Sequence, residues 1–247
     1  MQKRINILGT RIDNIDMKKA VIKFKKFMEQ DKLKLICTPN PEIIMRATED
    51  EKLRNILNHA DLVIPDGIGV VIASKILYDK GLSQRVAGYD LIQNTMKQSR
   101  NGEYKYFFLG GKSNIAKLAA KKMSCKHPNI KIVGYNDGYF EAKESYRIIE
   151  KINNSNANIL LVGLGSPKQE IWIRQNEYLL KNIKVAVGVG GSFDVMSGTI
   201  KRAPKIFIKF GLEWLYRLFR QPTRLKRMVV LPKFLIEVLK FSKNRHV

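Results

Sequence analysis

The chain has 247 residues, 45% of them hydrophobic and 27% charged, a composition that excludes a disordered polymer and allows a sizeable core. No run reaches the roughly 18 apolar residues of a membrane span, and neither the two cysteines (Cys37, Cys125) nor the three histidines (His59, His127, His246) have the spacing of a disulfide framework or a zinc site. The net charge of +23 points to a polyanionic partner, which is a nucleic acid, an anionic membrane or a phosphorylated substrate.

At the N-terminus the apolar run Ile5 to Leu8 is too short for a signal-peptide core and is followed at once by Arg11 and Asp13, so the chain is expected to stay in the cytosol. From there to residue 195 short β-branched or aromatic runs alternate with longer amphipathic stretches. Strands are predicted at Arg4–Leu8, Leu33–Thr38, Leu62–Ile64, Lys105–Leu109, Lys131–Gly134, Asn158–Val162 and Lys184–Val187. Helices are predicted at Met17–Glu29, Glu42–Ala47, Glu51–His59, Gly67–Tyr78, Asp90–Arg100, Asn114–Met123, Lys143–Asn153 and Pro167–Glu177, with one more after Gly191. The opening INILGTRIDNID has a small hairpin as its alternative. Such alternation predicts an α/β fold, a Rossmann-like, largely parallel sheet with helices on both faces.

In a sheet of this kind ligands bind beyond the carboxyl ends of the strands. The segments that follow the strands are CTPNPE (37–42), IPDGIG (64–69), LGGKS (109–113), GYNDGYF (134–140), VGLGSPKQE (162–170) and VGVGGSFD (187–194). Their glycines and small polar residues suit backbone approach to a phosphate and hydroxyl recognition, and they also suit ordinary βα turns. LGGKS is not a Walker A loop, because Tyr106 stands where the first glycine is required. GLGSPK and GVGGSF fail the dinucleotide fingerprint at Lys168 and Phe193.

Asp66 is the carboxylate singled out, in the turn between a strand and a helix. It is either a plain Asp-Gly turn or a general base for an acceptor hydroxyl. Thr38 and Asn40 lie in a Pro-bounded turn where Asn40 either caps the next helix or, with Thr38, bonds sugar hydroxyls. Gln169, at a helix start, has the same choice between helix-surface exposure and a sugar contact. No D-x-D occurs, and Glu49-Asp50-Glu51 reads as a solvated helix cap. A bound diphosphate would therefore rely on cationic side chains or helix N-termini, and Arg85, Arg217, Arg220, Arg224 and Arg227 are available.

The end of the chain is different in character. Residues 196–247 hold 13 Lys and Arg against 2 Asp and Glu, about half of the whole charge excess. On one continuous helix over 205–220, Lys205, Lys209, Glu213, Arg217 and Arg220 form a narrow polar stripe, and large apolar residues cover the rest. The turn QPTRLKRM follows, then PKFLIEVLKF repeats the amphipathic pattern. These helices either pack on the core or lie on an anionic bilayer. No nucleic-acid recognition motif accompanies the charge.

Taken together, TPNPEI, DLVIPDGIGVVIASK, RVAGYDL, YFFLGG, GYNDGYF, LVGLGSPKQEIWI, VGVGGSFDVMSGTIKRAP and GLEWLYRLFRQPTRLKRM resemble the WecG/TagA/CpsF glycosyltransferases, in order and over nearly the whole chain. The resemblance implies an inverting, metal-independent transfer, without cofactor, from a UDP-sugar donor to an undecaprenyl-diphosphate-linked sugar. In TagA-like members the donor is UDP-N-acetylmannosamine, the acceptor sugar is N-acetylglucosamine, and the β-1,4 product is the linkage unit of wall teichoic acid. WecG-like and CpsF-like members use N-acetylmannosaminuronic acid or other hexoses.

The resemblance makes Asp66 the base, lines the pocket with Thr38, Asn40, Arg85 and Gln169, and assigns the nucleotide to Gly110, Gly111, Gly190, Gly191 and Asp194. It divides the chain into a transferase body (1–195) and a basic appendage (196–247). The appendage docks on the inner face of the plasma membrane and brings Arg217, Arg220, Arg224 and Arg227 to the lipid diphosphate. Nucleic acid is not an expected partner, and the sequence is compatible with a homo-oligomer without setting the oligomeric state.

Overall fold

The structure, a computed structural model, describes residues 4–100, 102–220 and 229–243, and the side chains of Lys205 and Arg217 lie outside that description. Six parallel strands form the main sheet: β3 (Lys34–Cys37), β4 (Leu62–Val63), β5 (Lys105–Gly110), β6 (Lys131–Asn136), β7 (Ile159–Gly163) and β8 (Val185–Gly188), in the order β4-β3-β8-β7-β5-β6. The interior strands are apolar runs because both faces are covered. Successive residues of β7 feed opposite layers: Leu160 and Val162 join one apolar cluster, Ile159 and Leu161 the other. Cys37 is buried in the first of these layers and its thiol is pushed well up by burial.

The helices are α1 (Met17–Met28), α2 (Pro41–Glu49), α3 (Glu51–Asn58), α4 (Ile68–Leu77), α5 (Gly88–Gln98), α6 (Ile115–Lys126), α7 (Ser145–Asn154), α8 (Lys168–Asn176) and α9 (Ser192–Met196). Each predicted helix of the body is present with shifted ends. Asp16, Asn40 and Asp50 cap α1, α2 and α3 by accepting backbone N–H bonds, so the acidic cluster at 49–51 serves as a cap.

The opening segment forms the hairpin and not a single strand. β1 (Arg4–Ile7) pairs antiparallel with β2 (Thr10–Asp13), and Leu8 and Gly9 both take positive φ in the turn. The buried Asp13 explains why the hairpin docks where it does. Its Oδ2 accepts the Val63 N–H at 2.8 Å, and its Oδ1 is held by Arg4 at 3.3 Å. Arg4 in turn donates to the carbonyls of Asn58 and Ala60. A backbone donor of the edge strand β4 is thus satisfied by a side chain, and the edge is not left open.

After α9 the chain forms α10 (Lys205–Lys209), α11 (Glu213–Arg220) and α12 (Val230–Lys243). The single polar stripe expected over 205–220 is broken at Gly211. That residue takes φ +72° and lies so close to Ile68 that a Cβ would come within 2.7 Å. The break separates Glu213 from the stripe and turns it toward the body.

α12 packs across α2 and α4. Phe234 and Val238 are fully buried in the same cluster as the sheet, and Val230, Leu235 and Phe241 lean on it. Ile236 and Leu239 remain about half exposed. One face of this helix is therefore core, and the amphipathic pattern could not separate that face from the other because both carry the same residue types. Phe234→Ala should remove about 3–5 kcal/mol of stability, read as a lowered midpoint of urea unfolding of the full chain.

Candidate active site

The carboxyl ends of β3, β4, β7 and β8 are tied together by short polar contacts. Asp66 follows β4 in a turn closed by two backbone bonds, its own N–H to the Pro39 carbonyl (3.2 Å) and the Val86 N–H to the Pro65 carbonyl (2.9 Å). The Gly88 N–H, at the start of α5, donates to Asp66 Oδ2 at 3.3 Å. Gly88 must be glycine, because a Cβ would sit 2.8 Å from Thr38 Cγ2. Thr38 Oγ1 then donates to the Gly188 carbonyl at 3.1 Å, which links the end of β3 to that of β8.

Gln169 is not on a helix surface. It is 2% exposed and lies so close against Gly188 that a Cβ there would be 2.6 Å from its amide nitrogen. Its Oε1 accepts the Gly190 N–H at 3.0 Å, and its Nε2 donates to Glu170 Oε1 at 2.8 Å. Glu170 thus orients the amide, and burial pushes its carboxyl up against the opposing effect of that hydrogen bond. Asn40 spends its side-chain oxygen on the Ile43 N–H at 3.0 Å, so the capping role holds for that atom, while its Cβ borders Gly67 beside Asp66.

The glycine loops meet where the chain reverses direction across the sheet. β5 leads outward to β6, while its neighbour β7 leads the other way to β8. Gly110 has φ +127°, and a Cβ on it would lie 2.5 Å from the Gly163 carbonyl carbon and oxygen. The Gly111 N–H donates to the Gly163 carbonyl at 3.0 Å, and a Cβ on Gly163 would be 2.8 Å from the Gly190 carbonyl oxygen. Three backbones therefore meet closely, with the Phe193 ring packed against Gly163 as well. Beside them Gly191 precedes α9, and Asp194 sits in its first turn with Oδ2 beside Gly191. The Asp194 carbonyl collects bonds from Ser197, Thr199 and the Ile200 N–H.

Arg85 stands just before α5, next to the Asp66–Gly88 contact. Its Nη2 is 3.8 Å from Asp90 and its Nη1 is 3.3 Å from Glu213 of α11, so the appendage reaches the mouth of the sheet. Of the four tail arginines expected at the lipid diphosphate, only the Arg220 side chain lies within the described residues. Arg220 stacks near the Tyr216 ring on the exposed side of α11, the Arg217 side chain lies outside the described residues, and so do Arg224 and Arg227. Sequence reasoning missed Glu170, Asp90, Arg202 and Glu213. All four stood inside quoted motifs, but a charged residue in a motif carries no signal of which distant segment it will face.

An open parallel sheet wrapped by helices, with glycine loops converging at its carboxyl ends, makes this a Rossmann-like α/β protein. The model of the glycosyl transferase WecG/TagA/CpsF family matches residues 5–246, and the chain belongs to that family. It is 40% identical over 217 residues to a Bacillus spizizenii protein (88% of this chain, 83% of that one) and 38% identical over 221 residues to one from Bacillus subtilis (90% and 85%). Both relatives carry the name N-acetylglucosaminyldiphosphoundecaprenol N-acetyl-beta-D-mannosaminyltransferase.

Because Gly110 combines positive φ with backbone contact, Gly110→Ala should cost about 1–3 kcal/mol and displace the loop. Thermal denaturation of the variant beside the wild type checks this.

Proposed function

We propose that this protein transfers N-acetylmannosamine from UDP-N-acetylmannosamine to undecaprenyl-diphosphate-linked N-acetylglucosamine, with inversion, at the inner face of the plasma membrane. The carrying observation is the two relatives of that name, similar over more than four fifths of both chains. The product is the β-1,4-linked linkage unit of wall teichoic acid.

The chemistry is a direct displacement. The acceptor hydroxyl attacks the anomeric carbon from the face opposite the UDP and loses its proton to Asp66, and UDP departs with the bonding electrons. Asp66 suits the base role because the Gly88 N–H holds one carboxylate oxygen and so fixes the direction of the other. The leaving diphosphate needs compensating charge, which this reading draws from Arg85 and the tail arginines without a metal. Thr38, Gln169 and the glycine loops at 110–111 and 190–191 form the walls of the donor pocket.

The reading assigns residues 1–195 to catalysis and 196–247 to membrane contact. Among the described residues no helix is long and apolar enough to cross a membrane. Around α10 and α11, however, Ile206, Phe210, Leu212, Trp214 and Phe219 are exposed on a segment with a large cationic surplus. Apolar side chains in the interface and Lys/Arg on anionic headgroups are the two contributions such binding needs.

Purified protein with UDP-N-acetylmannosamine and lipid-linked N-acetylglucosamine should release UDP in the presence of a chelator, and a panel of other UDP-sugars should not replace the donor. Absence of turnover with every UDP-sugar would sink the reading. Asp66→Asn should lower kcat by roughly 10²–10⁴-fold with UDP affinity nearly unchanged, checked by steady-state kinetics and calorimetry. Removing the whole tail is a poor test of membrane contact, because it would uncover the core face that Phe234 and Val238 fill. The double substitution Phe210→Ser/Phe219→Ser keeps that face, and it should weaken sedimentation with phosphatidylglycerol vesicles while the melting temperature holds.

A further inference from the structure

Among the described residues, four charged side chains from three separate segments close into one cluster at the mouth of the sheet. Arg85 carries Asp90 Oδ2 at 3.8 Å and Glu213 Oε2 at 3.3 Å. Arg202, from the loop after α9, takes the other oxygen of the same Asp90 at 2.6 Å and lies over the Tyr89 ring, 4.5 Å from its centre. The Arg202 Nε is buried with no hydrogen-bond partner, so part of this guanidinium's donor capacity is unspent. Both arginines are mostly buried, at 15% and 28% side-chain exposure, where charge interactions are screened less than on the open surface.

The two carboxylates are not equivalent. Asp90 belongs to the first turn of α5 and follows Arg85 closely in the chain. Glu213 lies 128 positions from Arg85 and arrives only because the chain breaks at Gly211 and folds back. Phe210 and Phe219 on the same segment are 64% and 72% exposed, so these two side chains take no part in holding α10 and α11 to the rest of the protein. Two guanidiniums sharing one carboxylate leave a net positive charge, and Glu213 brings the group to neutrality. A guanidinium fork fits carboxylate and phosphate oxygens with the same planar geometry, so a carboxylate in this position occupies a phosphate's place.

We propose that Arg85 and Arg202 form one two-guanidinium clamp for the diphosphate of the nucleotide-sugar, and that Glu213 is an internal anion held in the clamp until the diphosphate displaces it. Arg202 is then a further substrate-binding residue, and donor binding frees α11 from its ion pair. The inference rests on the donor being a UDP-sugar. With Glu213 in place, an entering diphosphate meets a neutral group and a facing carboxylate. With Glu213 gone, it meets a positive one, so the two anions compete for a single site.

The test is calorimetric UDP binding to the full chain at fixed low salt, for the wild type, Glu213→Gln, Arg202→Gln and Arg202→Lys, with donor turnover measured alongside. An internal competitor lowers apparent affinity by the fraction of molecules left competent, so Glu213→Gln should bind UDP roughly tenfold tighter. Arg202→Gln should bind it roughly tenfold or more weakly, with Arg202→Lys between, since lysine keeps the charge and loses the fork. In a Trp172→Phe background the remaining tryptophan is Trp214, next to Glu213. Its emission should shift on UDP addition, and the shift should vanish with Glu213→Gln.

UDP affinity that is unchanged or weaker in Glu213→Gln would overturn the exchange. Wild-type affinity in folded Arg202→Gln and Arg202→Lys would remove Arg202 from the clamp. Should Arg202→Gln fail to fold, Arg202→Lys and Glu213→Gln still decide. Turnover with UDP affinity indifferent to these changes defeats the clamp alone. The expected binding changes with no turnover of UDP-N-acetylmannosamine defeat the donor assignment and leave the clamp.

Discussion

Four strands end within hydrogen-bonding reach of one another, and the site depends on keeping them there without side chains in the way. The Thr38 hydroxyl on the Gly188 carbonyl, the Gly88 N–H on Asp66 and the Gln169 amide on Gly190 make a continuous polar tie across β4, β3 and β8. Each bond is ordinary in strength, near 1 kcal/mol net. Their value lies in direction: a backbone N–H holds one oxygen of the Asp66 carboxylate, and Glu170 sets the orientation of the buried Gln169 amide that ties down the Gly190 loop. Glycine at 88, 110, 163 and 188 is the steric condition for this, since a Cβ at any of them would collide with a neighbour.

The C-terminal region serves the body in two ways that composition alone could not separate. α12 is part of the fold, because Phe234 and Val238 fill the layer over α2 and α4. α10 and α11 differ, with large apolar side chains left exposed and one acidic side chain directed inward to Arg85. A segment that meets the body through an ion pair and carries exposed apolar bulk suits the proposed contact with a lipid surface.

Electrostatics connects the two parts. Among the described residues, the mouth of the sheet gathers Arg85 and Arg202, which pair with Asp90 and Glu213. A substrate diphosphate has to enter this balance by replacing an anion or by adding to a surplus of cations. The basic appendage supplies the surplus in the membrane-bound reading, and Glu213 is the anion best placed to yield.

The sequence by itself determined the α/β architecture and the loops at the carboxyl ends of the strands in which candidate site residues lie. Short β-branched or aromatic runs marked each strand of the main sheet and amphipathic stretches marked the helices, and the rule that ligands bind beyond strand ends singled out Asp66, Thr38, Gln169 and the glycine loops as candidates. It left the hairpin at β1–β2 as an alternative, because Leu8 at positive φ is a poor turn signal and the deciding contact, Asp13 to the edge of β4, spans 50 positions. It made Asn40 a candidate ligand as readily as a cap, since one amide oxygen suits both. Only the tertiary structure decided that Gln169 is buried, that α12 is half core, and that Gly211 turns Glu213 onto Arg85. The physical reason is common to all three: burial and charge pairing are relations between distant segments, and a residue's own pattern specifies that it is amphipathic or charged without specifying what it will face.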